Sequence, residues 1–390
     1  MFYNGIADAI RSYIVNTDLQ MPVADNKFLK LAAPGVRSLQ PYQPGKPVAE
    51  LERELGIRDA VKLASNENPF GPSPLALAAA QAVLPEIARY PDGSGHQLVT
   101  RLAGLHDVTP DCITLGNGSN DVLDLVARVF LAPDHEAVFS QHAFAVYPIV
   151  VQAVGAHACV APAGPACSHD LAAMRAQVTA DTRVVFIANP NNPTGGWLAS
   201  TALEAFIADL PAHVMVVVDE AYFEYVVEAD YPDTTQWLAR FPNLIVTRTF
   251  SKAYGLAGLR IGYAVSHPVV AGLLNRVRQP FNVNLVAQAA ALAALDDRAH
   301  IAMSVERNRE GMGQLLAGFA DLGLEWIASV GNFVAVDAGR PAADVYAALL
   351  REGVIVRPVA NYAMPNHLRI TVGSEAENAR CLAALAKVLE

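Results

Sequence analysis

The sequence predicts an α/β fold in which a mostly parallel sheet lies between layers of helices, followed by a smaller α+β domain. Short, continuous apolar runs alternate with helical stretches through the middle of the chain, as is typical of strands buried on both faces of a parallel sheet. These runs are ITLG (113–116), EAVFS (136–140), RVVFIA (183–188), VMVVVDE (214–220) and LIVTRTF (244–250). After Pro280, long helical stretches precede the runs FVAVDA, VIVRPV and HLRITVG, whose spacing suggests hairpins.

Helix signals fill the stretches between these runs. A helix is predicted near residues 47–55, and a second, rich in Ala, covers PLALAAAQAVLPEIARY. In SNDVLDLVARVF the apolar residues recur at helical spacing, so a helix is predicted to begin near Ser119 or Asn120.

The chain is expected to divide into four segments. The predicted division is an N-terminal appendage over 1–33, an arm with part of the small domain over 34–74, a large domain over 75–280 and a small C-terminal α+β domain over 281–390.

Composition excludes several classes of function. The 390 residues are 53% hydrophobic and 17% charged, as in a globular protein with a large core. A net charge of -10 argues against nucleic acid as the main partner, because phosphate backbones select basic surfaces. No apolar stretch is long enough for a membrane span, and Asp8 and Arg11 interrupt the apolar residues that a signal peptide would need.

The cysteines predict free thiols and no metal site. They form no CxxC pair and have no His cluster at ligand spacing nearby. They are Cys112, Cys159, Cys167 and Cys381. Scattered thiols fit a reducing compartment, so a cytoplasmic protein without a membrane partner is expected.

Polar side chains follow several predicted strands at the point where each strand ends. ITLG leads into GNGSN, and RVVFIA leads into NPNNPTG. VMVVV is followed by Asp219 and, three residues on, Tyr222. LIVTRTF is followed by Ser251 and Lys252, with Arg260 eight residues beyond the lysine. Because ligands of open α/β sheets bind beyond the carboxyl ends of the strands, these groups are predicted to share one site.

Three of these groups predict a specific ligand chemistry. A desolvated Lys252 would be a nucleophilic amine able to form a Schiff base. A carboxylate at Asp219, closing an apolar run, would face a bound cation such as a protonated ring nitrogen. Glycines before the helix at Ser119 expose N–H groups to an anion, and Ser251 and Arg260 could add donors. Each residue alone also has an ordinary reading, as a surface lysine, a cap acid or a paired arginine.

Pyridoxal 5'-phosphate carries all the matching groups, namely a phosphate, a ring cation and a carbonyl. Tyr222 and Asn192 would then hydrogen-bond the phenolic oxygen of its ring from opposite sides.

Three motifs carry a resemblance to a known family. NPNNPTG, DEAYFEY and TFSKAYGLAGLRIGY resemble the fold type I pyridoxal-phosphate aminotransferases, and the similarity runs from about Pro34 to the C-terminus. Within that family, PYQPGKP, KLASNENPFGPSP, RYPDGSG and VRPVANYAMPNHLRITVG are most similar to the histidinol-phosphate aminotransferases.

The resemblance implies roles for the residues around the cofactor. Lys252 would carry pyridoxal phosphate as a Schiff base and then move the substrate proton, with Asp219 and Tyr222 as the other catalytic residues. Phe144 would stack on the ring, and Tyr90 would reach the phosphate in the neighbouring subunit, which requires a homodimer. The phosphate would be bound by Ser119, Asn120, Thr249, Ser251 and Arg260.

The resemblance also implies the substrates. Histidinol phosphate would exchange its amino group with 2-oxoglutarate, and in histidine biosynthesis imidazole-acetol phosphate would take the group from glutamate. These molecules are anionic, and arginines bind phosphate or carboxylate through paired hydrogen bonds. The implied substrate residues are Tyr42, Asn192, Arg357 and Arg369.

Other activities fit the same cofactor residues. An aromatic aminotransferase acting on phenylalanine or tyrosine would differ around Tyr42 and Arg357. A decarboxylase of a phosphorylated amino acid would differ in the bond that it aligns with the ring. A cofactor-binding regulator that binds DNA is opposed by the negative charge.

Overall fold

The computed structural model of the protein describes residues 27–390, so residues 1–26 of the predicted appendage lie outside the described residues. The strands are β1 (Val61–Lys62), β2 (Ile113–Gly116), β3 (Glu136–Ser140), β4 (His157–Ala161), β5 (Thr182–Ala188), β6 (Met215–Asp219), β7 (Leu244–Thr249), β8 (Gly262–Ser266), β9 (Glu325–Ile327), β10 (Phe333–Asp337), β11 (Val354–Ile355), β12 (Arg357–Pro358) and β13 (His367–Thr371). The helices are α1 (Lys27–Leu31), α2 (Val48–Leu55), α3 (Pro74–Val83), α4 (His96–His106), α5 (Ser119–Phe130), α6 (Val146–Ala153), α7 (Leu171–Ala176), α8 (Ser200–Asp209), α9 (Pro268–Val277), α10 (Leu285–Ala294), α11 (Arg298–Asp321), α12 (Ala342–Arg351) and α13 (Glu375–Leu389).

The main sheet has the strand order β2-β8-β7-β6-β5-β3-β4. Its strands run parallel except β8, which is antiparallel to both β2 and β7. The prediction of a mostly parallel sheet is confirmed, and each of the five apolar runs before residue 251 contains a strand. Strands β4 and β8 were not predicted. β4 is a largely exposed edge strand, and β8 directly follows the lysine loop.

The continuous apolar runs arise because both faces of the main sheet are covered. In β6, the side chain of Val217 packs into one apolar cluster with Phe186 and Val126, while Val216 and Val218 pack into a second cluster. Successive side chains of a strand point to opposite faces, so each face requires its own apolar residues. Other strands and the helices on each face supply the remaining side chains, for example Val122 of α5 in the first cluster and Leu203 of α8 in the second.

The C-terminal part forms a second sheet in the antiparallel order β12-β13-β10-β9, and β1 and β11 form a separate parallel pair. The hairpin suggested for consecutive apolar runs is wrong for FVAVDA and VIVRPV. Helix α12 lies between these two runs in the chain, and β13 takes the place beside β10. The run VIVRPV is divided between the two sheets, because β11 pairs with β1 while β12 pairs with β13.

The apolar core beside this second sheet includes residues from the N-terminal arm. Leu51, Leu63 and Ala64 pack with Phe319 and Leu349 in one buried cluster. This packing is compatible with an arm that contributes to the small domain, while the four-segment division stays a prediction.

Two helix predictions are confirmed and one is wrong in part. Helix α2 ends at Leu55, where Gly56 adopts a left-handed conformation, and α5 begins at Ser119. The helix predicted over PLALAAAQAVLPEIARY stops at Val83 and gives way to a 3-10 turn that contains Pro85, because proline cannot continue a helix. Across residues 27–390, no helix combines the length and the hydropathy that crossing a membrane requires.

Candidate active site

A pocket lies where β5, β6 and β7 end, and it brings together most of the predicted site residues. Tyr90 and Arg357 do not line it. Those that do are Tyr42, Ser119, Asn120, Phe144, Asn192, Asp219, Tyr222, Thr249, Ser251, Lys252, Arg260 and Arg369. Ser65 and Asn66, from the stretch ASNENPF, also line it and were not predicted as site residues.

Lys252 lies in the pocket just after β7 and carries an amine poised to react near neutral pH. Its Nζ donates to the carbonyl oxygen of Ser65 at 3.1 Å. Burial, and then the positive charges of Arg369 and Arg260, lower the pKa of the Lys252 amine from 10.5 to about 7. A substantial fraction of this amine is therefore neutral at pH 7, and the neutral amine is the nucleophilic form.

Asp219 is the last residue of β6 and its side chain is buried. Tyr147 donates its hydroxyl to Oδ2 at 3.1 Å, and Thr247 donates its hydroxyl to Oδ1 at 3.0 Å. Burial raises the pKa of Asp219 to about 6, and the hydrogen bonds from Thr247 and Tyr147 oppose that rise. A cation in the pocket would favour the ionised carboxylate, so this side chain is suited to face a protonated ring nitrogen.

The sequence pattern around Asp219 does not reveal Tyr147 or Thr247 as its partners. Thr247 is the register partner of Asp219 across the parallel β6–β7 pair, so alignment of the two apolar runs could have found it. Tyr147 approaches from α6, and its ring stacks on Phe186 at 4.9 Å between centroids. Nothing in the spacing of HAFAVY indicates that contact.

The hydroxyl of Tyr222 is arranged to donate into the pocket. Its oxygen accepts hydrogen bonds from Nδ2 of Asn66 at 2.8 Å and from Nδ2 of Asn192 at 3.1 Å. Burial raises the pKa of this phenol well above its ordinary value, so it stays protonated. With both lone pairs engaged, the remaining hydrogen is free to bond an acceptor bound in the pocket. Asn66 itself adopts a left-handed conformation, with φ 55°.

Backbone and side-chain donors converge in what we call the anion corner, formed by Gly118, Ser119, Asn120, Thr249, Ser251 and Arg260. Helix α5 begins at Ser119, so its free N–H groups and positive dipole end face this corner. Arg260 Nη1 donates to Ser251 Oγ at 3.3 Å. Gly118 has φ +83°, and a Cβ atom there would lie 2.2 Å from Arg260 Nη2, so glycine suits this position.

Arg369 brings a buried guanidinium from β13 to the same pocket. Its Nη1 donates to Oδ1 of Asn192 at 2.6 Å, and its Nη2 donates to the carbonyl oxygen of Ala64 at 2.6 Å. Its Nε is buried without a hydrogen-bond partner. Each of its two terminal nitrogens carries a second hydrogen, so this guanidinium can also bind an anionic ligand in the pocket.

The predicted residues outside the pocket lie in two different places. The guanidinium carbon of Arg357 is 5.6 Å from the centre of the Tyr42 ring, so Arg357 sits beside the mouth of the pocket. Tyr90 is 82% exposed, and its ring stacks on that of Phe281 with 4.7 Å between centroids.

Comparison with known proteins identifies the family. The family model described as aminotransferase class I and II matches residues 58–385. The chain belongs to the class I and II aminotransferases. This aminotransferase is 64% identical over 364 residues to histidinol-phosphate aminotransferase 2 of Pseudomonas fluorescens, a match that covers 93% of this chain and 98% of the relative. It is 57% identical to histidinol-phosphate aminotransferase 1 of Nitrosococcus oceani, over 94% of this chain and 99% of the relative.

A solved structure gives the same result for the fold. The crystal structure of histidinol-phosphate aminotransferase from Sinorhizobium meliloti in complex with pyridoxal 5'-phosphate matches with a TM-score of 0.85 and 31% identity. The match covers 92% of this chain and 97% of that one. The aminotransferase therefore has the fold type I architecture that the sequence motifs predicted.

Proposed function

We propose that this aminotransferase uses pyridoxal phosphate to exchange an amino group between histidinol phosphate and 2-oxoglutarate. In the biosynthetic direction, glutamate would donate the group to imidazole-acetol phosphate, which is a step in making histidine. The names of the relatives at 64% and 57% identity support this substrate. The observation that carries the proposal is the buried guanidinium of Arg369 in the same pocket as the amine of Lys252.

The pocket fits the cofactor group by group. The anion corner suits a phosphate, since glycine at 118 leaves room for Arg260 and α5 directs its N–H groups inward. Asp219 suits the ring nitrogen and Tyr222, with its free hydroxyl hydrogen, suits the phenolic oxygen. Phe144 lines the pocket where it could cover the ring face. When bound, pyridoxal phosphate supplies an aldehyde that receives amino groups and a protonated ring that withdraws electrons.

Side chains of this protein would then transfer the proton, keep the ring protonated and orient the ring. Lys252 would hold the cofactor through Nζ, and its amine, neutral in part at pH 7, would move a proton between the substrate carbon and the cofactor. Asp219 would keep the ring nitrogen protonated, because its ionised carboxylate would stabilise that cation. Asn192 and Tyr222 fix the ring orientation through their mutual hydrogen bond at 3.1 Å.

The substrate residues would select anions. Arg369 would bind the carboxylate of glutamate and the phosphate of histidinol phosphate in turn, since both offer paired oxygens to a guanidinium. Asn192 holds Arg369 in place through Oδ1. Tyr42 and Arg357, stacked at the mouth of the pocket, would contact the outer part of the substrate and exclude water from the site.

We further propose a homodimer in which Tyr90 extends to the anion corner of the neighbouring subunit. Tyr90 is exposed and outside its own pocket, and apolar side chains around α3 are also exposed. They are Leu75, Leu77, Leu84 and Ile87. Such a cluster suits a surface covered by a second copy of the chain.

The free thiols of the four cysteines support the proposal that the enzyme works in the cytoplasm.

The test is a single half-reaction of the purified enzyme. Histidinol phosphate and, separately, phenylalanine are added, and loss of the absorption band of the lysine-linked cofactor is followed. We expect histidinol phosphate to react about 10- to 100-fold more efficiently, because its doubly charged phosphate can form a further charge-assisted hydrogen bond that the singly charged carboxylate of phenylalanine cannot, and one such bond contributes about 1.5–3 kcal/mol. The reverse ranking would indicate an aromatic aminotransferase. Release of carbon dioxide from a phosphorylated amino acid would indicate a decarboxylase.

A further inference from the structure

One short segment between α9 and α10 touches three separate parts of the predicted phosphate site. We name it the bridging segment (residues 279–284, QPFNVN). We propose that it positions the phosphate-binding groups of both subunits: Phe281 fixes Tyr90 for the neighbouring subunit, while Asn282 and Asn284 fix the anion corner of their own subunit. This inference rests on the proposed function.

Phe281 fixes the direction of Tyr90. The two rings stack with centroids 4.7 Å apart and planes 19° apart. Phe281 adopts φ 58°, a conformation that costs energy in a bulky residue and persists only where surrounding contacts hold it. Arg278 provides such contacts by donating to the carbonyl oxygen of Gly93 and to Oδ1 of Asn282, each at 2.9 Å.

Gly93 lies close to the ring of Phe281. A Cβ atom at Gly93 would lie 3.2 Å from Cε1 of Phe281, which is tighter than an ordinary contact. An exposed tyrosine without a stacking partner would populate several rotamers. Stacking on Phe281 already restricts Tyr90. Tyr90 therefore loses less conformational freedom when it reaches a phosphate in the neighbouring subunit.

Asn282 fixes the loop that leads into α5. Its Nδ2 donates to Oδ2 of Asp121 at 2.8 Å and to the carbonyl oxygen of Leu115 at 3.1 Å. The same Oδ2 of Asp121 accepts a hydrogen bond from the backbone N–H of Asn117 at 2.8 Å. One amide thus holds the end of β2 and the first turn of α5, whose free N–H groups face the anion corner.

Asn284 fixes the opposite wall of the corner. Its Nδ2 donates to the carbonyl oxygen of Leu259 at 3.1 Å, and Leu259 directly precedes Arg260. Its Oδ1 accepts from the N–H of Ala287 at 2.8 Å and so caps α10. The position of Arg260 is thereby tied to a helix outside the pocket.

The first experiment separates a phosphate-specific effect from a general structural one. Apoenzyme is titrated with pyridoxal phosphate and with pyridoxal, which lacks the phosphate. For Phe281→Leu we expect the dissociation constant for pyridoxal phosphate to rise about tenfold and that for pyridoxal to stay unchanged. The reason is that the weakened hydrogen bond runs from Tyr90 to the charged phosphate, which pyridoxal lacks. Phe281→Tyr, which keeps the aromatic ring, should behave as the wild type. Phe241→Leu, at an aromatic pair with Trp237 away from the pocket, is the matched control.

Several outcomes would overturn the proposal. They are an equal loss of affinity for both compounds, an unchanged affinity for pyridoxal phosphate, and a Phe281→Leu protein that sediments as a monomer at the assay concentration. If instead the wild type itself fails to attach pyridoxal phosphate or is monomeric, the proposed function fails first. The two failures are therefore distinguishable.

Hybrid dimers provide the second experiment, because Phe281 is proposed to act on the site of the neighbouring subunit and Asn282 on the site of its own subunit. A Phe281→Leu subunit is paired with a Lys252→Ala subunit. The affinity for pyridoxal phosphate is then measured at the lysine-linked site, which lies in the Phe281→Leu subunit. That site receives Tyr90 from a subunit with native Phe281, so we expect wild-type affinity. In a hybrid of Asn282→Ala with Lys252→Ala, the lysine-linked site keeps its own defect, and we expect weak binding. The opposite pattern would refute the assignment of Phe281 to the neighbouring site.

Discussion

At the scale of single residues, the reactivity of Lys252 depends on its surroundings. Because burial and nearby positive charge lower the pKa of its amine to about 7, the amine loses its proton around neutral pH and not near pH 10.5. Between pH 7 and pH 10.5, the folded protein therefore binds fewer protons at Lys252 than the unfolded chain does. Lys252 destabilises the folded apoenzyme fully below about pH 7, and this destabilisation disappears as the pH rises toward 10.5.

The pH dependence of cofactor attachment should follow the same ionisation. We expect the rate at which apoenzyme attaches pyridoxal phosphate to rise with pH and to have its midpoint near the Lys252 pKa of about 7. Arg369→Met removes a positive charge that lowers this pKa, so its midpoint should move to higher pH. Stopped-flow absorbance across a pH series measures both, with Arg357→Met as the control charge removal. An unchanged midpoint in Arg369→Met would contradict this electrostatic account.

The close approach of Gly118 to Arg260 gives a second prediction at this scale. Gly118→Ala adds a Cβ atom 2.2 Å from Nη2 of Arg260 at a backbone φ of +83°, so the guanidinium must move out of the anion corner. We expect the dissociation constant for pyridoxal phosphate to rise at least about tenfold. Gly258→Ala is a matched control in the loop before Arg260, since nothing lies within 4 Å of its new Cβ atom. Equal affinities of the two variants would refute the role of the corner.

The residues that sequence reasoning found differ in kind from those that it missed. Lys252 and Asp219 end or directly follow apolar runs, so their position at the sheet edge can be read from the chain. Asn66 hydrogen-bonds Tyr222 across 156 positions of sequence, and Tyr147 meets Asp219 across 72. Such pairs depend on tertiary packing, which no local pattern encodes.

At the level of secondary-structure elements, a buried ion pair joins β7 to Glu220, the residue that follows β6. Arg248 donates to Oε2 of Glu220 through Nε at 2.9 Å and through Nη2 at 2.7 Å, and both side chains are buried. The Nη2 atom also reaches Oδ1 of Asp233 at 2.7 Å. Since Glu220 directly follows Asp219, this pair holds the end of the strand that carries the ring-facing carboxylate.

Arg248→Met should therefore cost much more stability than the loss of a surface charge. It leaves the Glu220 carboxylate buried without its partner, and we expect the free energy of unfolding to fall by about 3–5 kcal/mol. The control is Arg309→Met, because Arg309 pairs with Glu306 on the exposed surface of α11 and should change stability by about 1 kcal/mol or less. Chemical denaturation measures both. A loss below about 1 kcal/mol in Arg248→Met would contradict a structural role for the pair.

Element prediction succeeded where burial alone determines the pattern. The central strands of the main sheet read as continuous apolar runs because both of their faces are covered. The run VIVRPV has the same appearance, but its residues serve strands in two different sheets. Strand pairing over such short lengths depends on neighbours far along the chain, so the spacing of the run could not reveal it.

At the scale of the whole molecule, the site unites segments from nearly the full length of the chain. Arg369 of β13 donates to Asn192 after β5 and to the carbonyl oxygen of Ala64 in the N-terminal arm. The second sheet thereby supplies an anion-binding group to a pocket whose lysine belongs to the first. Sequence motifs predicted Lys252 and Arg369 as site residues, but only the fold places the two in one cavity.

Peptide mapping tests whether Lys252 links the cofactor in this pocket. The enzyme is incubated with pyridoxal phosphate, reduced with borohydride to make the link permanent, digested and analysed by mass spectrometry. We expect the added cofactor mass on the peptide that contains Lys252, and none in a Lys252→Ala protein that melts like the wild type. Cofactor mass on a different lysine, or its retention in Lys252→Ala, would contradict the account.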